Sequence, residues 1–244
     1  MQVHFNSRLA DRREDKASTT SSLIEQWAMN NLYCPRCGRP EIFRGTNDNA
    51  SNFYCSECKN KSKLKSKSGV LDHMIVFDSY ETLLQTDDDN PDFFILNYNE
   101  NGLYVENLWY IPKYFFVPDF VEKKTPWDLG EIFFDEIPIQ GKIRIVQNSV
   151  PLDKKSVIEQ VKRTAFLCEN NVASQGWTLD ILRCINAIPR QVFTLADIYE
   201  FEGYLAVKHP QNQNIRPKIR QQLQRLRDKG FIDFIDRGTY LKIQ

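Results

Sequence analysis

Four cysteines constrain this chain more than anything else in it: Cys34-Pro-Arg-Cys37 and Cys55-Ser-Glu-Cys58 are two CxxC knuckles separated by 17 residues. That is zinc-ribbon spacing, in which each knuckle offers two thiolates to one tetrahedral ion. Four protein ligands leave no open coordination position, so the expected Zn²⁺ is structural. Two disulfides are the competing use, but nothing at the N-terminus resembles a secretion signal, and Cys168 and Cys184 would be left over. Those two are expected to be small buried hydrophobes, and His4, His73 and His209 have no metal-ligand company.

The chain has 244 residues, with 32 Lys and Arg against 32 Asp and Glu. Zero net charge gives no global field that would steer the protein toward nucleic acid, so local patches decide. No stretch approaches the roughly 18 apolar residues of a membrane helix, and the expectation is a soluble, cytoplasmic monomer with no membrane partner.

Two domains are expected. Residues 5 to 20 read as a loose polar arm or weak helix, followed by a short helix capped by Ser22 and Glu25 with Leu23, Ile24 and Trp27 on its apolar face. A helical stretch is expected from Leu71 to Leu84, and strands at 93–98, 103–111 and 142–146, the second behind an Asn101-Gly102 turn signal. Residues 1–160 thus read as a mixed α/β domain interrupted by the cysteine knuckles.

From residue 170 to 244 the pattern is helix, helix, helix, hairpin. Trp177, Ile181, Leu182, Ile185 and Ile188 recur at helical spacing, Thr194-Leu-Ala-Asp197 opens a second helix, and Pro217 to Asp228 forms a third. A hairpin follows with its turn at Arg237-Gly238. This is the order of a winged helix. The third helix and its flanks carry Arg216, Lys218, Arg220 and Arg225, and Arg237 tips the wing; such a basic helix suits a DNA major groove, where cations displace counterions from phosphate and reach guanine edges.

Several segments are more specific still: Tyr33-Cys-Pro-Arg-Cys-Gly38, Asn52-Phe-Tyr-Cys-Ser-Glu-Cys58, Lys63-Leu-Lys-Ser-Lys-Ser-Gly69, Ser174-Gln-Gly-Trp-Thr-Leu-Asp-Ile-Leu-Arg-Cys184 and Lys218-Ile-Arg-Gln-Gln-Leu-Gln-Arg-Leu-Arg-Asp-Lys229. Through them the chain resembles the DpnI family of restriction endonucleases over nearly its whole length. The resemblance implies an α+β architecture: a PD-(D/E)XK nuclease-like domain with a zinc-ribbon insertion, then a winged helix. It also implies recognition of double-stranded GATC carrying N6-methyladenine. Trp127, eleven residues before Pro138, stands where the resemblance places a methyladenine-contacting Trp.

The catalytic positions depart from the family. Where the resemblance puts an Asp and a Glu that hold Mg²⁺, this chain has Asn52 and Lys63, and Lys65 alone matches. An amide lacks the charge of a hard-cation ligand, and an ammonium repels a cation by about 4 kcal/mol per unit of charge at 4 Å and an effective dielectric near 20. The expectation is a cleavage-deficient reader of methylated DNA. The alternatives are an active methyl-directed nuclease that still uses Mg²⁺, with Asp48 or Glu57 as a relocated ligand, and a regulator-like reader in which only the winged helix touches DNA.

Overall fold

A computed structural model describes the chain except at residues 7–15, 41–42, 45–52, 70–73, 78–79, 81–90, 118–120, 125–128, 170–171 and 244. The chain divides into two compact units, Met1–Thr164 and Ala165–Gln244.

The first unit is built on a mixed sheet. Its strands in chain order are β1 (Phe43–Arg44), β2 (Phe53–Tyr54), β3 (Lys61–Ser68), β4 (Met74–Phe77), β5 (Asp92–Asn99), β6 (Tyr104–Ile111), β7 (Val121–Lys124), β8 (Leu129–Phe133), β9 (Ile143–Gln147) and β10 (Val150–Pro151). Seven of them pair in the order β1-β2-β3-β5-β6-β9-β10, and β4-β8-β7 form a separate three-stranded sheet. Strands β3 and β5 run parallel and the other neighbours in the large sheet run antiparallel.

Successive residues of a strand face opposite sides, which divides the large sheet into two faces. Phe94 and Leu96 of β5, Leu108 and Tyr110 of β6, and Ile143 and Ile145 of β9 enter one core cluster. Helix α1 (Lys16–Asn31) adds Leu23, Ile24, Trp27 and Ala28, and α2 (Lys154–Thr164) adds Val157 and Val161. The opposite face carries Phe93, Ile95 and Ile111, all buried, with Phe116 set edge-on to Phe93 at 4.9 Å. Gly141 is obligatory there, because a Cβ would meet ring carbons of Phe115 at 2.5 Å.

Three expectations change in this unit. Helix α1 begins at Lys16, so Ser22 lies inside the helix and not at its start. The N-terminal segment is not wholly a loose arm: Phe5 is buried in the core, with its amide on the Leu103 carbonyl at 2.8 Å, and His4 bridges Tyr104. Part of the stretch expected to be helical, Met74–Phe77, is instead β4, paired with β8; much of the remainder lies outside the described residues.

The second unit contains α3 (Val172–Ala187), β11 (Val192–Thr194), α4 (Leu195–Tyr199), α5 (Glu202–Lys208), α6 (Ile215–Asp228), β12 (Ile232–Asp236) and β13 (Thr239–Lys242), with sheet order β11-β13-β12. Thr194 and Asp197 close a reciprocal capping box on α4. Leu179, Leu182, Ile198, Leu205, Ile219, Leu223 and Leu226 fill the core. The one buried polar pair between α3 and α6 is satisfied among the described residues, Thr178 donating to Gln222 Oε1 at 2.8 Å. Cys184 is buried as expected, and burial, with Asp180 nearby, pushes its thiol up to about 12. Cys168 is exposed, contrary to expectation, at the end of a 3₁₀ turn whose buried positions are taken by Phe166 and Leu167.

Candidate metal centre and nucleic-acid interface

The two knuckles fold as near-duplicates. Cys34 N donates to the Arg39 carbonyl and Gly38 N to the Cys34 carbonyl; Cys55 N donates to Asn60 and Lys59 N to Cys55. Both turns need a left-handed residue, met by Gly38 at φ 80° and Lys59 at φ 60°. The four sulfurs lie within 4.8 Å of one another, with Cys34 and Cys58 3.5 Å apart and Cys37 and Cys55 3.5 Å apart.

Sulfurs at about 2.3 Å from a tetrahedral ion would sit about 3.8 Å from each other, so the cluster fits a closed four-thiolate site compatible with zinc. Burial pushes the Cys34 thiol far above its ordinary value, and the Cys58 thiol above its own. At Cys55 burial works in the same direction but is overcome by the backbone amides of Cys58 and Glu57, which bring that thiol down. All six cysteines are free of disulfides. One cysteine of each knuckle, Cys34 and Cys55, enters the core cluster, so an ion held here would pin β2 and the segment after α1 to the sheet.

The first knuckle makes a second attachment. Arg36 donates from Nε to Asp92 Oδ2 at 2.7 Å and from Nη2 to Oδ1 at 2.8 Å; Tyr110 Oη and the Lys113 amide also donate to this carboxylate. Burial favours the neutral guanidine but is outweighed by Asp92, so the Arg36 pKa rises. Burial, with Asp92 beside it, likewise raises the Tyr110 phenol.

Strand β3 carries Lys63 and Lys65, the two described residues of the expected catalytic set. Its register sets Ser62 beside Asp92, Lys63 beside Phe93, Lys65 beside Ile95 and Lys67 beside Asn97. Alternation therefore puts Lys63, Lys65 and Lys67 on one face and Asp92 on the other, turned into the Arg36 network. Lys63 is 7% exposed and Lys65 half-buried. Asn52, Asp48 and Trp127 lie outside the described residues, and Glu57 is an exposed turn residue of the second knuckle.

Among the described residues, Lys63 and Lys65 occupy alternate positions of β3, and the β5 carboxylate, Asp92, accepts from four donors on the other face.

In the second unit, α6 presents its cations unequally. At about 100° per residue, Arg216, Arg220 and Arg227 fall within ~40° of one another, while Lys218 and Arg225 lie roughly opposite. The buried residues Ile215, Ile219, Gln222, Leu223 and Leu226 separate the two groups on the inner side. Arg225 is committed to packing: its guanidinium covers the Phe166 ring at 5.3 Å and Nη1 donates to Ser174 Oγ at 3.1 Å. Arg237 is exposed at the wing tip, in the two-residue turn between Asp236 and Thr239.

The exposed arc also holds Gln221 and Gln224, which composition alone would not single out but which helical periodicity would. A glutamine on such an arc can pair with an adenine edge. Arg216 and Arg220 are organised from outside the helix: Arg216 Nε donates to Glu202 Oε2 at 2.8 Å and its guanidinium lies 4.9 Å from the Tyr199 ring centre, and Arg220 Nη1 donates to Tyr199 Oη at 2.7 Å.

A four-cysteine cluster beside a mixed sheet, followed by a winged helix with a basic outer arc, is the architecture of a DNA-binding protein. Comparison with known families agrees: the family described as DpnI, Dam-replacing family, matches residues 1–170, and the Dam-replacing HTH domain matches residues 173–242. The chain belongs to this DpnI, Dam-replacing, family, a nuclease family related to methylated DNA. No described helix is long and apolar enough to cross a membrane.

Proposed function

We propose that the protein binds double-stranded DNA carrying N6-methyladenine in a GATC context and does not cleave it. The observation that carries this reading is the chemistry of β3, where Lys63 stands at the family's second carboxylate position and Lys65 shares its face. Two cations can hold a backbone phosphate directly, by the charge that would otherwise come from a metal ion. Binding then needs no Mg²⁺, and the water that the ion would activate is not generated.

Recognition is assigned to Trp127 for the methylated base and to the outer arc of α6, with Arg216, Arg220 and the wing residue Arg237 for the duplex. Lys218, on the other flank of α6, is placed to reach an adjoining phosphate rather than the same groove. The four-cysteine centre holds structural Zn²⁺.

The deciding experiment incubates Dam-methylated plasmid with the protein in Mg²⁺ or Mn²⁺, and in parallel measures binding of methylated and unmethylated duplexes with no added divalent ion. The expected result is intact plasmid and methyl-dependent binding. Saturating double-strand cutting at GATC would overturn the reading in favour of an active enzyme with a relocated metal ligand. The double change Asn52→Asp with Lys63→Glu should restore a metal site and awaken cleavage.

A further inference from the structure

The contacts between α4, α5 and α6 lead to a second assignment, which rests on the proposal that the winged helix engages duplex DNA. We infer that Tyr199 and Glu202 form a specificity clamp on the recognition helix: Tyr199 positions Arg216 and Arg220, and Glu202 withholds Arg216 from DNA backbones that offer no cognate contacts.

One tyrosine serves two arginines. Its ring face takes the Arg216 guanidinium at 4.9 Å, and its hydroxyl accepts from Arg220 Nη1 at 2.7 Å. Tyr199 is itself held by the fold: the Thr194–Asp197 capping box fixes the start of α4, and the adjacent Ile198 is fully buried. The arginines are the long, rotamer-rich partners, so the rigid tyrosine orders them before any DNA arrives, which lowers the cost of ordering them on binding.

Glu202 does the opposite work. It is the first residue of α5, and its carboxylate accepts from Arg216 Nε at 2.8 Å, with the two side chains 37% and 56% exposed. An exposed pair of this kind contributes little to stability. Its consequence is for competition: a phosphate must displace Glu202 to recruit Arg216. On a non-cognate backbone that exchange gains almost nothing, whereas on a cognate site base contacts from the same arc add to it.

The clamp makes opposite demands on two variants of the full chain, read by fluorescence anisotropy on a methylated GATC duplex and a scrambled duplex across a salt series. Glu202→Gln should tighten the scrambled duplex about 3- to 10-fold and the cognate duplex less. It should also steepen the log affinity against log salt slope on the scrambled duplex by about one, the mark of one more phosphate contact. Tyr199→Phe, which keeps the ring and loses the hydroxyl, should weaken the cognate duplex about 3- to 10-fold with its salt slope unchanged.

Equal effects of Glu202→Gln on both duplexes with no change of slope would overturn the clamp, as would a Tyr199→Phe protein that binds like wild type. A wild-type chain without preference for the methylated site overturns the function proposed above but leaves the slope test on scrambled DNA to decide the clamp. A chain that binds neither duplex sinks both.

Discussion

Arg36, inside the first cysteine knuckle, closes a two-point ion pair on the carboxylate of Asp92, which is 0% exposed at the start of β5. The pair ties the knuckle to the strand that runs beside the lysine-bearing β3. Four donors converge on one carboxylate, so its burial is compensated; removing a donor or the acceptor leaves charge or polar groups stranded.

Asp92→Asn keeps the shape and removes the charge, leaving the Arg36 guanidinium without its counter-ion. Breaking one side of a buried pair costs about 3 to 5 kcal/mol. Arg36 is partly exposed, so the lower end is expected. Urea denaturation monitored on the N-terminal unit measures it, and a loss under about 1 kcal/mol would show that the pair contributes little.

The cysteine centre predicts one tightly held zinc per chain. Because thiolates are the ligands, and burial raises the Cys34 and Cys58 thiols, protons compete with the ion and affinity must fall as the pH is lowered. Chelation or Cys55→Ser should unfold the packing around α1 and β2. Metal analysis across pH together with near-ultraviolet circular dichroism tests this; retention of native packing in a zinc-free protein would contradict it.

How much of this could be read from sequence varies with how local the signal is. The cysteine ligands declare themselves by spacing, and β5, β6 and β9 by apolar runs bounded by turns. The run Lys61–Ser68 reads as a polar segment, yet it forms an inner strand, because pairing with β2 on one side and β5 on the other decides its state. Ser22 reads as a cap because Ser and Thr favour helix starts, but the helix begins six residues earlier, at Lys16. The Arg36–Asp92 pair spans 56 residues and leaves no local trace. On α6 the number of cations was plain, while their separation into an outer arc and a packed flank needs the helix phase and its neighbours.

Asp197 gives the winged helix an acid sensitivity whose sign is fixed. The Thr194 backbone amide first, with the Thr194 hydroxyl and Arg190 assisting, holds its carboxyl below the ordinary value. A depressed folded value means that the cap's contribution is complete above the unfolded carboxylate pKa near 3.9 and disappears as pH falls through the lower folded value. Hydrogen exchange of the Leu195–Tyr199 amides, corrected for intrinsic rate, should therefore accelerate only below about pH 4. In Asp197→Asn that pH step should vanish.

Trp127→Ala should erase methyl discrimination while sparing binding to unmethylated DNA. Stacking of an aromatic ring on a base contributes about 1 to 3 kcal/mol, or roughly 5- to 150-fold in affinity. Equal loss on methylated and unmethylated duplexes would assign Trp127 to the domain's packing instead.

Lys63 and Lys65 separate the two uses a cation can have at this site. If both hold phosphate, Lys63→Met and Lys65→Met should each weaken binding of every duplex, methylated or not, and each should reduce the salt slope by about one. Restoring a carboxylate there instead, as Lys63→Glu alone, should abolish metal-free binding, because an anion would then face the phosphate, and should recover it only on addition of Mg²⁺ or Mn²⁺. A Lys63→Glu protein that binds as well as wild type without divalent ions would mean that this lysine never meets the DNA backbone.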